Sequence, residues 1–199
     1  MKIIEAVKNY QGSPFNIEGA NRGELPEFFK EMGYTIGAEI GVYKGEFTEK
    51  FCQVGLKMYA IDPWHSYEAA GRASKYQTRQ EFLYGHAQRV LVPYVDCTII
   101  RKASMDAVCH FKDESLDFVY IDGDHSFKHV AQDIYEWTWK VRKGGIVSGH
   151  DYKANRGGIF QNINQVGPVV DAYIKAFDIK NWYLLGDGDH ASSWFWIRE

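Results

Sequence analysis

Five short apolar runs recur along the chain: TIGAEIG (35–41), KMYAID (57–62), DCTIIR (96–101), LDFVYID (116–122) and GGIVSGHD (144–151). Between them, apolar residues return at helical spacing, as Phe47, Phe51 and Val54 do after the first run and Val130, Ile134, Trp137 and Val141 after the fourth. Near-continuous apolar strands alternating with amphipathic helices require a parallel sheet covered on both faces, so the pattern predicts a doubly wound α/β fold. The polar stretch from about Ser74 to Val90 reads as a long helix and ASMDAVCHF as a short one. Ser126 is positioned to cap the helix after the fourth run, and Gly144 and Gly145 to end it.

The chain closes differently. NWYLL and SSWFWIRE are strand-like and separated only by GDGDHA, too short for a crossover helix, so they should pair antiparallel and complete a mostly parallel, seven-stranded sheet with a C-terminal hairpin. Residues 1–34 combine the helical patterns IIEAVKNY and ELPEFFKEM with a Gly/Ser/Pro/Asn loop, which reads as a helical appendage serving as a lid or packing arm before the main domain, 35–199.

Composition narrows the function classes. A length of 199 residues suits one domain, and a net charge of -3 without a dense Lys/Arg run offers no electrostatic footprint for nucleic acid or an anionic membrane. Cys52, Cys97 and Cys109 lack CxxC spacing and sit among apolar residues, as reduced thiols of a cytoplasmic protein do. No apolar run approaches the roughly 20 residues needed to span a bilayer, and the N-terminus lacks the pattern of a signal peptide. The first helix and the abundant aromatic residues would serve a homo-oligomer contact or a lid equally well.

In open α/β sheets ligands bind beyond the carboxyl ends of the strands. The first strand ends in Glu39-Ile-Gly41-Val-Tyr-Lys-Gly45, where glycines let backbone approach a ligand ahead of a helix N-terminus. The spacing Gly37-x-Glu39-x-Gly41-x-x-x-Gly45 is not the G-x-G-x-x-G dinucleotide fingerprint, which argues against a nicotinamide oxidoreductase. Asp62 ends the second strand, 21 residues after Gly41, where a carboxylate can accept hydrogen bonds from ribose hydroxyls.

These residues resemble the class I S-adenosylmethionine-dependent methyltransferases, whose first motif ends a strand with an acid and Gly-x-x-x-Gly, here Glu39, Gly41 and Gly45. IDGDHSF followed by KGGIVSGHDY looks like the small-molecule and sugar O-methyltransferases related to macrocin O-methyltransferase. The resemblance covers roughly residues 35–151 and implies a Rossmann-like methyltransferase sheet with S-adenosylmethionine as cofactor. It implies Glu39, Gly41 and Gly45 around the methionine part, Asp62 on the ribose, Ser104 near adenine and Asp122 beside the cofactor.

Asp122 ends the fourth strand and Asp151 the fifth, so adjacent strands would bring their carboxylates together, with Asp124, His125 and His150 crowding the same edge. Asp122, Asp151 and His150 could hold a cation. Two carboxylates with water-filled positions suit Mg²⁺, and an imidazole would admit Mn²⁺, Fe²⁺ or Zn²⁺. Such an ion would lower the pKa of an acceptor hydroxyl and hold its oxygen in line with the sulfonium methyl. Alternatively His125 or His150 takes the hydroxyl proton as general base. Metal-dependent O-methyltransferases of the catechol type carry Asp-Asn where this chain carries His150-Asp151.

The expected activity is therefore methyl transfer to a hydroxyl of a small acceptor, a sugar being one candidate, with a non-catalytic nucleoside-binding module as the alternative. The appendage 1–34 and the loops 65–80 and 152–167, the last including Arg156, would shape the acceptor site. The sequence DGDH occurs twice, at Asp122 to His125 after an apolar strand and at Asp187 to His190 in the hairpin loop. The first copy lies where this fold holds ligands. The second reads as turn chemistry, although a parallel sixth strand would bring His190 beside the acceptor.

Overall fold

A computed structural model of the chain describes residues 2–65, 73–153, 164–186 and 191–199. Its strands are β1 (Phe15–Ile17), β2 (Ile36–Ile40), β3 (Lys57–Ile61), β4 (Cys97–Ile100), β5 (Leu116–Ile121), β6 (Val141–Gly149), β7 (Trp182–Leu185) and β8 (Ser193–Ile197). Its α-helices are α1 (Ile3–Asn9), α2 (Leu25–Glu31), α3 (Glu46–Gln53), α4 (Ala73–Leu91), α5 (Ser104–Val108), α6 (Phe127–Lys140) and α7 (Val166–Ala176). The strands form one sheet in the order β1-β7-β8-β6-β5-β2-β3-β4, in which β8 alone runs against the others.

The architecture is the expected α/β sheet with its closing β7-β8 hairpin, but it has an eighth strand. Three residues of the N-terminal segment, Phe15 to Ile17, pair in parallel with Tyr183 to Leu185. So short a strand carries no readable period of its own and exists because β7 offers an edge. A second difference concerns α6, which ends at Lys140 instead of at the glycines. β-Branched Val141 opens β6, and the pairing with β5 slips between Leu116 and Phe118 to absorb a bulge of β6 at Arg142–Gly145. Gly145 fits there because a Cβ would lie 2.3 Å from the Asp117 carbonyl oxygen.

Alternation along β5 builds both halves of the core. Val119 and Ile121 face α6 and α7 through Val130, Ile134, Trp137 and Val170. Phe118 and Tyr120 face the other layer, where α1, α2 and α3 supply Ile3, Leu25, Phe28, Phe29 and Phe51. The segment before residue 35 thus covers one face of the sheet with fully buried side chains, each contributing about 1.5–3 kcal/mol of burial.

Strand β2 lies between β3 and β5, and the chain winds outward from it in both directions. This is the topological switch point, and the crevice opens beyond the carboxyl ends of β2 and β5. Among the described residues no helix is long and apolar enough to cross a membrane.

Candidate active site

Two cavities open along the carboxyl edge. One, of about 600 Å³, lies on the β3 side and is lined by Ile61, Asp62, Ser104, Met105 and Asp133 among others. The second, of about 530 Å³, lies on the β6 side and includes Arg22, Glu39, Phe47, His125, His150 and Asp151. Gly41, Tyr43, Asp122 and Gly123 line both, so the wall between the cavities is the meeting of the β2 and β5 loops.

Gly41 makes that wall possible. Its φ is +91°, and a Cβ there would stand 2.2 Å from the Asp122 carbonyl oxygen. The close approach that requires glycine is thus between two segments of the chain. Gly45 plays another part: a Cβ on it would meet Leu91 and Ala87 at 3.2–3.3 Å, and it lines neither cavity. It packs the start of α3 against α4.

Asp62 lines the β3-side cavity while fixing its own surroundings. Its Oδ2 accepts the backbone N–H groups of Val42 and Tyr43, each at 3.0 Å, and its Oδ1 accepts that of Trp64 at 2.7 Å. Burial nevertheless raises its pKa against those donors. Ser104 Oγ accepts from Trp137 Nε1 at 2.8 Å and donates to Asp133 Oδ1. Asp133 was not anticipated. It is 4% exposed, and burial pushes its carboxyl up to about 6. An acid next to Ile134 on the apolar stripe of α6 was the available signal.

On the β6 side, Glu39 is buried and accepts the Thr48 hydroxyl, and burial pushes its carboxyl well above the ordinary range. Asp122, His125, His150 and Asp151 meet as the strand ends implied. His125 Nε2 lies 3.0 Å from Asp151 Oδ2 and 3.9 Å from Asp122 Oδ1. His150 Nδ1 lies 3.4 Å from Asp151 Oδ2 and 3.9 Å from Asp122 Oδ1.

The carboxylates of Asp122 and Asp151 beside His125 raise its pKa to about 9, which favours the protonated imidazolium. Burial alone would raise Asp151, but the two histidines reverse this and hold it below the ordinary carboxylate range. Asp151 also adopts a left-handed backbone, φ 59°, a conformation uncommon outside glycine and frequent at functional sites. His150 Nε2 is buried and, among the described residues, has no hydrogen-bond partner.

Arg22 completes the cluster and was also missed. It comes from a single 3-10 turn, Arg22–Glu24, fixed by a capping box at Asn21. Its guanidinium lies over the Phe47 ring, 5.3 Å from the centroid, and Nη1 is 3.4 Å from Asp122 Oδ2. No local pattern reveals a contact that spans 100 residues. Donor atoms of Asp122, His125 and Asp151 all lie within 4.8 Å of one another, close enough to share a cation. Arg156 and the second DGDH, with His190, lie outside the described residues, although adjoining Ala191 lines the β6-side cavity.

Residues 38–152, more than half of the chain, match a family described as methyltransferase domain. The chain belongs to this methyltransferase family. A protein of Sinorhizobium fredii, y4gI, is 26% identical over 127 residues, 60% of this chain but 13% of that protein's length.

Solved structures share the methyltransferase's fold at low identity. The O-methyltransferase from Bacillus cereus in complex with S-adenosylhomocysteine has a TM-score of 0.63 at 13% identity, over 88% of this chain and 80% of that one. Podospora anserina methyltransferase PaMTH1, also bound to S-adenosylhomocysteine, gives 0.63 at 10%, over 89% and 78%. An rRNA methylase from Streptococcus thermophilus gives 0.59 at 13%, over 87% and 93%.

Proposed function

We propose that this methyltransferase moves the methyl group of S-adenosylmethionine to a hydroxyl of a small molecule, a sugar being one candidate acceptor. The carrying observation is the pair of cavities separated only by Gly41, Tyr43, Asp122 and Gly123. A cofactor in the β3-side cavity presents its sulfonium at that wall, and an acceptor in the β6-side cavity meets it from the other side. Asp62 receives the ribose hydroxyls, Gly41 in the shared wall borders the methionine part, with Glu39 just across it on the β6 side, and Ser104 borders the adenine.

Methyl transfer needs mostly alignment, with the acceptor proton removed as the oxygen attacks. Either His125 or His150 takes that proton: Asp151 Oδ2 lies 3.0 Å from His125 Nε2 and 3.4 Å from His150 Nδ1, while His150 Nε2 is occluded from solvent. His125 and Arg22 supply positive charge that lets Asp122 and Asp151 lie side by side.

Asp122 and Asp151, with His125, also fit a divalent cation, and the imidazole donor suits Mn²⁺, Fe²⁺ or Zn²⁺ better than Mg²⁺. Bound there, such an ion would act as a Lewis acid on the acceptor hydroxyl. The three free thiols suit the cytoplasm.

Calorimetry with S-adenosylhomocysteine is the first test. Binding is expected, weakened at least about tenfold by Asp62→Ala, and no binding to the wild type would overturn the reading. The second is cofactor turnover over a panel of hydroxylated acceptors, with chelator and with added Mn²⁺ or Mg²⁺. Full activity in chelator removes the metal and leaves a histidine, His125 or His150, as the base. Cofactor binding without turnover on any acceptor marks a regulatory cofactor-binding module instead.

A further inference from the structure

The β6-side cavity is lined by two groups of charged side chains. Asp122, His125, His150 and Asp151 stand at the strand ends. The second group comes from the N-terminal turn and the start of α3, and it brings the cations Arg22, Lys44 and Lys50. Phe47 and Lys50, three residues apart on α3, share one of its faces. Arg22 lies over the Phe47 ring, and Lys50 Nζ is 3.9 Å from the position of a Cβ on Gly23, so Arg22 and Lys50 border the same turn. Lys44 Nζ lies 5.5 Å from the ring centre of Tyr43, which stands in the wall shared by the two cavities.

The carboxyl groups lining this cavity are already engaged. Glu39 accepts the Thr48 hydroxyl, Glu46 faces His86 Nε2 at 3.8 Å, and Asp122 and Asp151 are gathered by Arg22, His125 and His150. Among the described residues, no carboxylate lies within ion-pair distance of Lys44 or Lys50. Ammonium groups and a guanidinium brought to one cavity repel one another, and an anion placed among them relieves that repulsion. A neutral ligand leaves it in place.

We propose, on the reading that the acceptor occupies this cavity, that the acceptor carries an anionic oxygen group, a carboxylate or a phosphate, which Lys44, Lys50 and Arg22 receive while its hydroxyl meets His125 and His150. The lysines stand apart from the reacting atoms and hold the acceptor equally in the ground and transition states, so they act on KM and leave kcat alone. Lys44 is half-buried and Lys50 exposed, so each contributes only a few-fold, and salt weakens both.

The experiment titrates inorganic phosphate into the wild type and into the Lys44→Gln/Lys50→Gln double variant, each saturated with S-adenosylhomocysteine. Saturable binding to the wild type is expected, weakened about tenfold in the double variant and weakened also by added sodium chloride. Glucose, glucuronate and glucose 6-phosphate then compete with the phosphate. A charged sugar should displace it at lower concentration than glucose, and the stronger of the two names the group. For any acceptor that turns over, the double variant should raise KM about tenfold with kcat unchanged. Absence of phosphate binding, binding that the double substitution leaves unchanged, displacement by glucose equal to that by the charged sugars, or a fall in kcat at constant KM overturns the proposal alone. So does a loss of S-adenosylhomocysteine affinity in phosphate at matched ionic strength, because the cations then serve the cofactor's own carboxylate. Failure of the wild type to bind S-adenosylhomocysteine overturns the cofactor reading on which the proposal rests.

Discussion

Strand β5 carries an acid near each end, and the two are treated oppositely. Asp117, near the amino end, accepts four donors: Thr35 N at 2.7 Å, Thr35 Oγ1 at 3.0 Å, Ile36 N at 3.0 Å and Arg142 Nε at 2.7 Å. Asp122, just past the carboxyl end, is approached by Arg22 at 3.4 Å and by His125 and His150 at 3.9 Å, and it stands in the wall of both cavities. One end of the strand saturates its carboxylate to close the fold. The other keeps its carboxylate loosely held, so that free energy of interaction remains to be gained when a ligand arrives. A neutral substitution at Asp117 should therefore cost stability, and one at Asp122 should cost turnover.

The largest expected effect is on turnover. Asp122→Asn keeps the shape of the wall but removes the charge that His125, His150 and Arg22 gather around. Loss of one such electrostatic group lowers kcat by about 10²–10³-fold. The melting temperature and the affinity for S-adenosylhomocysteine should change little. An Asp122→Asn enzyme within tenfold of wild-type turnover would break the contrast at its functional end.

Next in size is Asp117→Ala, which strands the Arg142 guanidinium and the amides of Thr35 and Ile36. It should destabilise by about 2–3 kcal/mol, lowering the melting temperature by roughly 5–10 °C. Turnover per folded molecule should be unaffected. The same residue predicts an acid limb. Burial alone would raise its pKa, but the hydrogen bonds from Thr35, Arg142 and Ile36 pull it below its unfolded value. The stability it contributes is thus complete above an unfolded pKa of about 3.9 and is lost as pH falls through the lower folded value. Denaturant titrations between pH 6 and 3 should show a shallower acid loss in Asp117→Asn than in the wild type. Parallel curves would mean that the four donors contribute no linkage.

What was legible in the sequence follows the same division between local and distant causes. Strand period and helix spacing located β2 to β8 and α3 to α6, because burial on two faces leaves a mark on every residue of an element, whereas α7 (Val166–Ala176) was not read. The meeting of Asp122, His125, His150 and Asp151 followed from strand ends alone once β5 and β6 were neighbours. Contacts that depend on a remote partner left no local mark. Strand β1 exists only against β7, and Arg22 reaches Asp122 across 100 residues. Gly45 looked like Gly41 in the motif, yet one meets α4 and the other the Asp122 backbone. Asp133 lies between these cases, legible as an acid on an apolar stripe but not as the partner of Ser104.

The smallest prediction sharpens the carboxyl end, where side chains that look structural are partly released from that task. Ser126 occupies the N-cap position of α6 in an extended conformation, yet its hydroxyl makes no capping bond to the helix backbone. That hydroxyl meets His129 Nδ1 at 2.8 Å instead, while Asp124 Oδ1 accepts the Ser126 N–H at 2.8 Å. A true cap costs about 1 kcal/mol when truncated to alanine. Ser126→Ala should therefore cost less than about 0.5 kcal/mol, in the range of ordinary surface changes, and Asp124→Ala should cost more because it frees the turn that leads from Asp122 into the helix. Equilibrium unfolding of the two variants decides the order. If Ser126→Ala is the more destabilising, the helix start is held by a conventional cap, and the first DGDH loses part of its claim to be shaped for a ligand.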